Sequence, residues 1–146
     1  MDRDELLQRE ARAWDALEAA VARVPDDRRA EEGVVPGWST KDLVWHCGYW
    51  AGWAGGKIEA MAAGTYVDES HDDAYYDEEN ATINEEGRGL TWDEVHARAS
   101  EMRERARAAV GSLPELTDEA AEVFSAESFE HYEEHTAEIA AFADSS

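Results

Sequence analysis

GWSTKDLVWHCGYWAGWAGG, residues 37–56, is the stretch of this sequence from which charge all but vanishes. No Asp, Glu, Lys or Arg stands between Leu43 and Gly56, in a chain that carries 13 Lys+Arg and 35 Asp+Glu. Four of the six tryptophans lie here, Trp38, Trp45, Trp50 and Trp53, with His46 among them. A helix that is apolar all round its circumference belongs at the centre of a bundle. The charge-free run is too short to cross a membrane, which needs about 20 apolar residues. The reading is therefore a central buried helix that carries His46 into the core.

The rest of the composition agrees. The 146 residues fit one domain, 1–146, and are enough to bury a core. Glu, Ala, Arg and Asp dominate, and β-branched residues are few, which favours an all-α fold. The formal charge of −22 repels phosphate backbones and anionic lipid, so neither nucleic acid nor a membrane surface is an expected partner. Solubility, or life at high internal salt, explains the acid excess more simply than a recognition surface does. A single cysteine, Cys47, excludes an internal disulfide and fits a reducing compartment. The first residues, MDRDELLQREARAW, lack the apolar run of a signal peptide, so the expected location is cytoplasmic.

Outward from the central stretch, apolar residues Leu6, Leu7, Trp14, Leu17, Val21 and Val24 recur every three or four positions and predict a first helix over about 4–24. Ser39 followed by Asp42 predicts a capping box at the start of the second helix, which runs to about Gly64. Within it Gly48, Gly52 and Gly56 stand four apart, which suggests close approach of a neighbouring helix or a ligand. The acidic connection 65–90, with a short helix near 73–85, is long enough for a crossover. Thr91 and Glu94 cap a third helix over about 92–110, and a fourth is expected near 127–142. No strand is expected.

The chemistry concentrates on histidine. His131 and His135 lie four apart, one turn of a helix, on the stripe that continues to Ile139 and Phe142. Two imidazoles so placed can converge on one metal ion, with His46 as the candidate third ligand. Three histidines with an open position describe a catalytic or substrate-binding site rather than a closed structural one. The same residues also fit a plainer account, two solvated histidines on an acidic helix and one hydrogen-bonded core histidine. The HExxH protease pattern is absent, because Tyr132 follows His131.

Trp38-Ser39-Thr40-Lys41-Asp42 through His46, together with His131-Tyr132-Glu133-Glu134-His135, resembles the paired motifs of the DinB/YfiT-like family. The segment from Asn80 to Val95 is similar to the family's connection as well. That family includes the N-terminal domain of mycothiol-dependent maleylpyruvate isomerases. The resemblance implies a left-handed four-helix bundle with a long crossover connection between helices two and three. It also implies a divalent metal, zinc, nickel, iron or copper, held by His46, His131 and His135. The chain offers no counterpart to the second domain of those isomerases, so their complete reaction is not expected of it.

The functional expectation is a metal-dependent small-molecule enzyme of the thiol S-transferase or hydrolase type, using a low-molecular-weight thiol or water. Asp42, Tyr132 and Glu134 are candidate supporting residues. Trp45, Tyr49, Trp50 and Trp53 are candidate pocket walls, with core packing the simpler role for at least two of them. Cys47 reads as a buried filler, and His71 and His96 as incidental. The alternatives are a non-catalytic binding or sequestering protein, or a homodimeric scaffold.

Overall fold

The computed structural model describes residues 1–69 and 71–145. Helices dominate them: α1 (Arg3–Ala22), α2 (Thr40–Ala63), α3 (Asp73–Gly89), α4 (Trp92–Ser112), α5 (Asp118–Glu127) and α6 (Phe129–Asp144). The all-α expectation holds. Local chemistry sets the ends. Ser39 and Asp42 close the expected capping box on α2, and Thr91 and Glu94 close the one on α4. Gly64 ends α2 in the left-handed region, at φ 74°, where a side chain is costly.

The centre is α2, and its neighbours have readable directions. Gly48 abuts Ala99, Gly52 abuts Met102 and Gly55 abuts Ala106, so numbers rise together and α2 runs parallel to α4. A Cβ at Gly48 would lie 2.6 Å from the Ala99 backbone, which explains why glycine is kept there despite a helix cost of about 1 kcal/mol. Parallel neighbours require the chain to travel back between them. That return is made by α3, which runs antiparallel to α2, pairing Tyr49 with Glu79, Trp50 with Asn80 and Lys41 with the Arg88 carbonyl. The helix in the acidic connection is thus longer than the expected 73–85, held by the buried Ile83 and by Gly87 against Asp42.

Two expectations are corrected. A short antiparallel hairpin precedes α2, with β1 (Glu32–Val35) paired to β2 (Trp38–Ser39). It is too brief to show alternation, and its signal is only Val34-Val35 before Pro36-Gly37, with Gly37 at φ 83°. Between the third and fourth expected helices, over about 111–126, no helix is expected, yet α5 lies there. The chain breaks at Ser128 between α5 and α6, where the Ser128 hydroxyl donates to the Phe124 carbonyl. Neither Gly nor Pro marks that break.

A carboxylate lies wholly within the core. Glu10 is inaccessible to solvent. Its carboxylate accepts from Arg103 Nε and Nη2 at 2.8 and 2.9 Å, from Arg107 at 2.9 Å and from the Tyr132 hydroxyl at 3.1 Å. The cluster ties α1, α4 and α6 together.

Candidate functional site

His46 enters the core in the second turn of α2, where the charge-free stretch leaves no ionic partner for it. His131 and His135 project from α6 into the same region of the core. The ring centroids of His46 and His131 are 5.1 Å apart, those of His46 and His135 5.0 Å, and those of the α6 pair 6.0 Å. His46 and His135 are buried and His131 is half-buried. The edge of Trp38 closes over His46 at 5.4 Å. The structure therefore brings together three residues separated by up to 89 positions in the chain.

Their protonation follows from burial. Desolvation pushes His46 down to about 3, aided by the two neighbouring imidazoles. Burial pushes His131 down to about 4, aided by His135 and opposed by Glu134. Both are neutral at pH 7, the form in which imidazole binds metals. The Nδ1 atoms of His46 and His131 are buried and lack hydrogen-bond partners among the described residues. The third ring is anchored: His135 Nδ1 is hydrogen-bonded to Glu138 on the next turn. Among the described residues, no three His, Cys, Asp or Glu side chains already stand as a finished metal cluster. The rings are neighbours, tilted at 38° to 86° to one another, rather than aimed at one point.

Two carboxylates beside the rings escape a reading of sequence alone. Glu127, at the end of α5, lies 3.9 Å from His131 Nδ1. Its own burial pushes it up to about 7, opposed by Lys57 and reinforced by Glu130. Glu138 is the partner of His135. The available signals were spacing alone, four residues before His131 and three after His135, on helices crowded with glutamate.

Other candidates have different engagements. Asp42 spends one oxygen on the Ser39 amide, and no hydrogen bond joins it to His46, so it caps the helix rather than orienting the ring. Tyr132 points into the Glu10 cluster and packs edge-on to Trp14 at 5.2 Å, which leaves its hydroxyl unavailable to a ligand beside the histidines. Glu134 is exposed. Trp45 and Trp50 are core residues, at 5% and 3% exposure. Tyr49 and Trp53 do line a cavity of about 670 Å³, but none of the three clustered histidines does. A second cavity of about 450 Å³ reaches Glu127. Burial pushes the Cys47 thiol up, so it stays protonated and inert.

No helix among the described residues is long and apolar enough to cross a membrane. Residues 11–127 match the family described as the mycothiol maleylpyruvate isomerase N-terminal domain. The matched region includes His46 and ends before His131. No curated protein and no solved structure matches the chain.

Proposed function

The chain belongs to the mycothiol maleylpyruvate isomerase N-terminal domain family, a DinB/YfiT-like family, and on that premise we propose that it is a metal-dependent enzyme acting on a small molecule. The reaction is of the thiol S-transferase or hydrolase type. The ligands are His46, His131 and His135, carried by one four-helix-bundle domain in the cytoplasm.

The spacing of the three rings is the observation that carries this reading. With metal–nitrogen bonds of about 2.0–2.1 Å, an imidazole centroid sits about 3.2 Å from its metal, and two such centroids at a tetrahedral angle are about 5.2 Å apart. The observed separations are 5.0, 5.1 and 6.0 Å. Rotation of an imidazole about its Cβ–Cγ bond redirects the nitrogens but barely moves the centroid. Centroid spacing is therefore the better test of fit, and the ring tilts do not argue against it. Two neutral rings whose buried Nδ1 atoms are unpartnered among the described residues add support, since buried polar atoms are normally satisfied.

A bound metal with an open position would lower the pKa of a water or thiol toward neutrality. The chain's own residues prepare for this. Glu138 fixes His135 through Nδ1 and leaves Nε2 as the ligating atom, as carboxylates hydrogen-bonded behind a metal-bound histidine do elsewhere. Trp38 shields His46 from bulk water. Glu127, poised near neutral pH, can hold or release a proton beside His131.

Elemental analysis of protein purified without an affinity tag tests the reading. About one divalent metal per chain is expected, lost in both His46→Ala and His131→Ala while helicity is unchanged. A metal-free, folded wild-type protein that also fails to bind added zinc, nickel or iron would instead leave a binding protein without turnover.

A further inference from the structure

Two of the four aromatic rings expected around the histidines, Tyr49 and Trp53, line another cavity, where cations outnumber carboxylates in an otherwise acidic chain. The cavity of about 670 Å³ lies within the usual range for a small-ligand site. Trp53, Tyr66 and Tyr75 supply rings, Lys57 and Arg105 supply cations, and Glu69 is the only carboxylate among its described lining residues. Gly52 and Gly56 make room in its wall for the side chains of Met102 and Arg105.

The two cations differ. Arg105 is committed to Glu59 by a pair of hydrogen bonds at 2.9 and 2.8 Å. Lys57 makes no direct hydrogen bond or contact ion pair among the described residues and acts on Glu127 only at longer range. Its ammonium instead rests 3.9 Å from the Trp53 centroid and 5.9 Å from that of Tyr66. In a chain with 35 acids and 13 Lys+Arg, a half-buried lysine with no carboxylate in direct contact is unusual. The smaller cavity shares Trp53, Lys57, Tyr66, Glu69 and His71 with the larger one and adds Asp68, Glu119, Glu122 and Glu127. The shared ridge that holds Lys57 thus lies between a chamber with one lining carboxylate and a chamber with five, among the described residues.

We propose that the larger cavity binds a small aromatic monocarboxylate, its ring held by Trp53, Tyr66 and Tyr75 and its carboxylate on Lys57 Nζ. Glu69 and the acidic wall across the ridge select against a second negative charge, so a dianion is rejected by repulsion. None of the three clustered histidines lines this cavity, so the assignment stands apart from the metal reading.

Calorimetric titration of the full chain with 3-phenylpropanoate tests it. A salt concentration of about 0.15 M shortens the reach of the protein's net field to about 8 Å while sparing contact with Lys57. Saturable binding is expected, with 3-phenylpropanamide, 3-phenylpropylamine and the dianion benzylmalonate each at least about tenfold weaker. Lys57→Gln should lose at least about tenfold in affinity and Lys57→Arg should retain most of it, with thermal melts confirming that both fold. The proposal is overturned by absence of saturable 3-phenylpropanoate binding, by amide or amine binding as tightly as the acid, or by unchanged affinity in a folded Lys57→Gln.

Discussion

Two groups of buried polar side chains share one core and end in opposite states. Around Glu10 every charge is answered, by Arg103, Arg107 and the Tyr132 hydroxyl. Around His46, two buried ring nitrogens have no partner among the described residues. The two groups meet on α6, where Tyr132 faces the first and its neighbour His131 the second. A polar group satisfied within the chain belongs to the architecture. A polar group kept neutral, buried and unsatisfied is poised for something that the chain does not supply. Function is sought at the second group for that reason.

Glu10→Ala breaks the first group. It strips two half-buried arginines of the buried carboxylate they share and should cost about 3–5 kcal/mol. Urea unfolding measures this as a fall in midpoint at unchanged slope. A loss below about 1 kcal/mol would mean that water replaces the carboxylate and that the cluster is not the tie between α1, α4 and α6.

Glu138→Ala acts on the second group without touching the core. Glu138 is only half-buried, so the fold should be unaffected. Removing the acceptor that orients His135 should weaken metal binding about 10–100-fold, about 1.4–2.8 kcal/mol, read by competition with a chromogenic chelator. Unchanged affinity would show that the Glu138 contact does nothing for the ligand set.

This contrast also marks what sequence could and could not convey. The central helix was legible because absence of charge is a local signal, as was the His131–His135 stripe at one helical turn. His46 was legible as the only histidine inside the apolar stretch. The Glu10–Arg103 pair was not, since its members lie 93 positions apart and any of 35 acids could have filled the role. Glu127 and Glu138 were hidden in the same crowd, and the β1–β2 hairpin was too short to show a period. Charge patterning identifies what is buried, while the partner of a buried charge is decided by tertiary geometry.

The smallest effect separates the roles of the carboxylate and the imidazoles within the second group. In chelator-treated protein, His46 and His131 have folded pKa values of about 3 and 4, below the unfolded value. Their contribution is therefore complete above about pH 6.5 and is lost as pH falls, by about 0.8 kcal/mol each between about pH 7.5 and about pH 6. Glu127, raised to about 7 in the folded chain, has the opposite sign. It binds its proton more tightly when folded, and over the same interval it adds about 1.2 kcal/mol as pH falls. The two trends nearly cancel. Glu127→Gln removes one of them, so its stability should drop about 1 kcal/mol more than that of the wild type over this interval, in paired urea titrations. Titrations elsewhere in the chain are common to both proteins and cancel in that difference. Parallel pH profiles would mean that Glu127 is solvated like an ordinary surface carboxylate, and that the proton assigned to it beside His131 is not there.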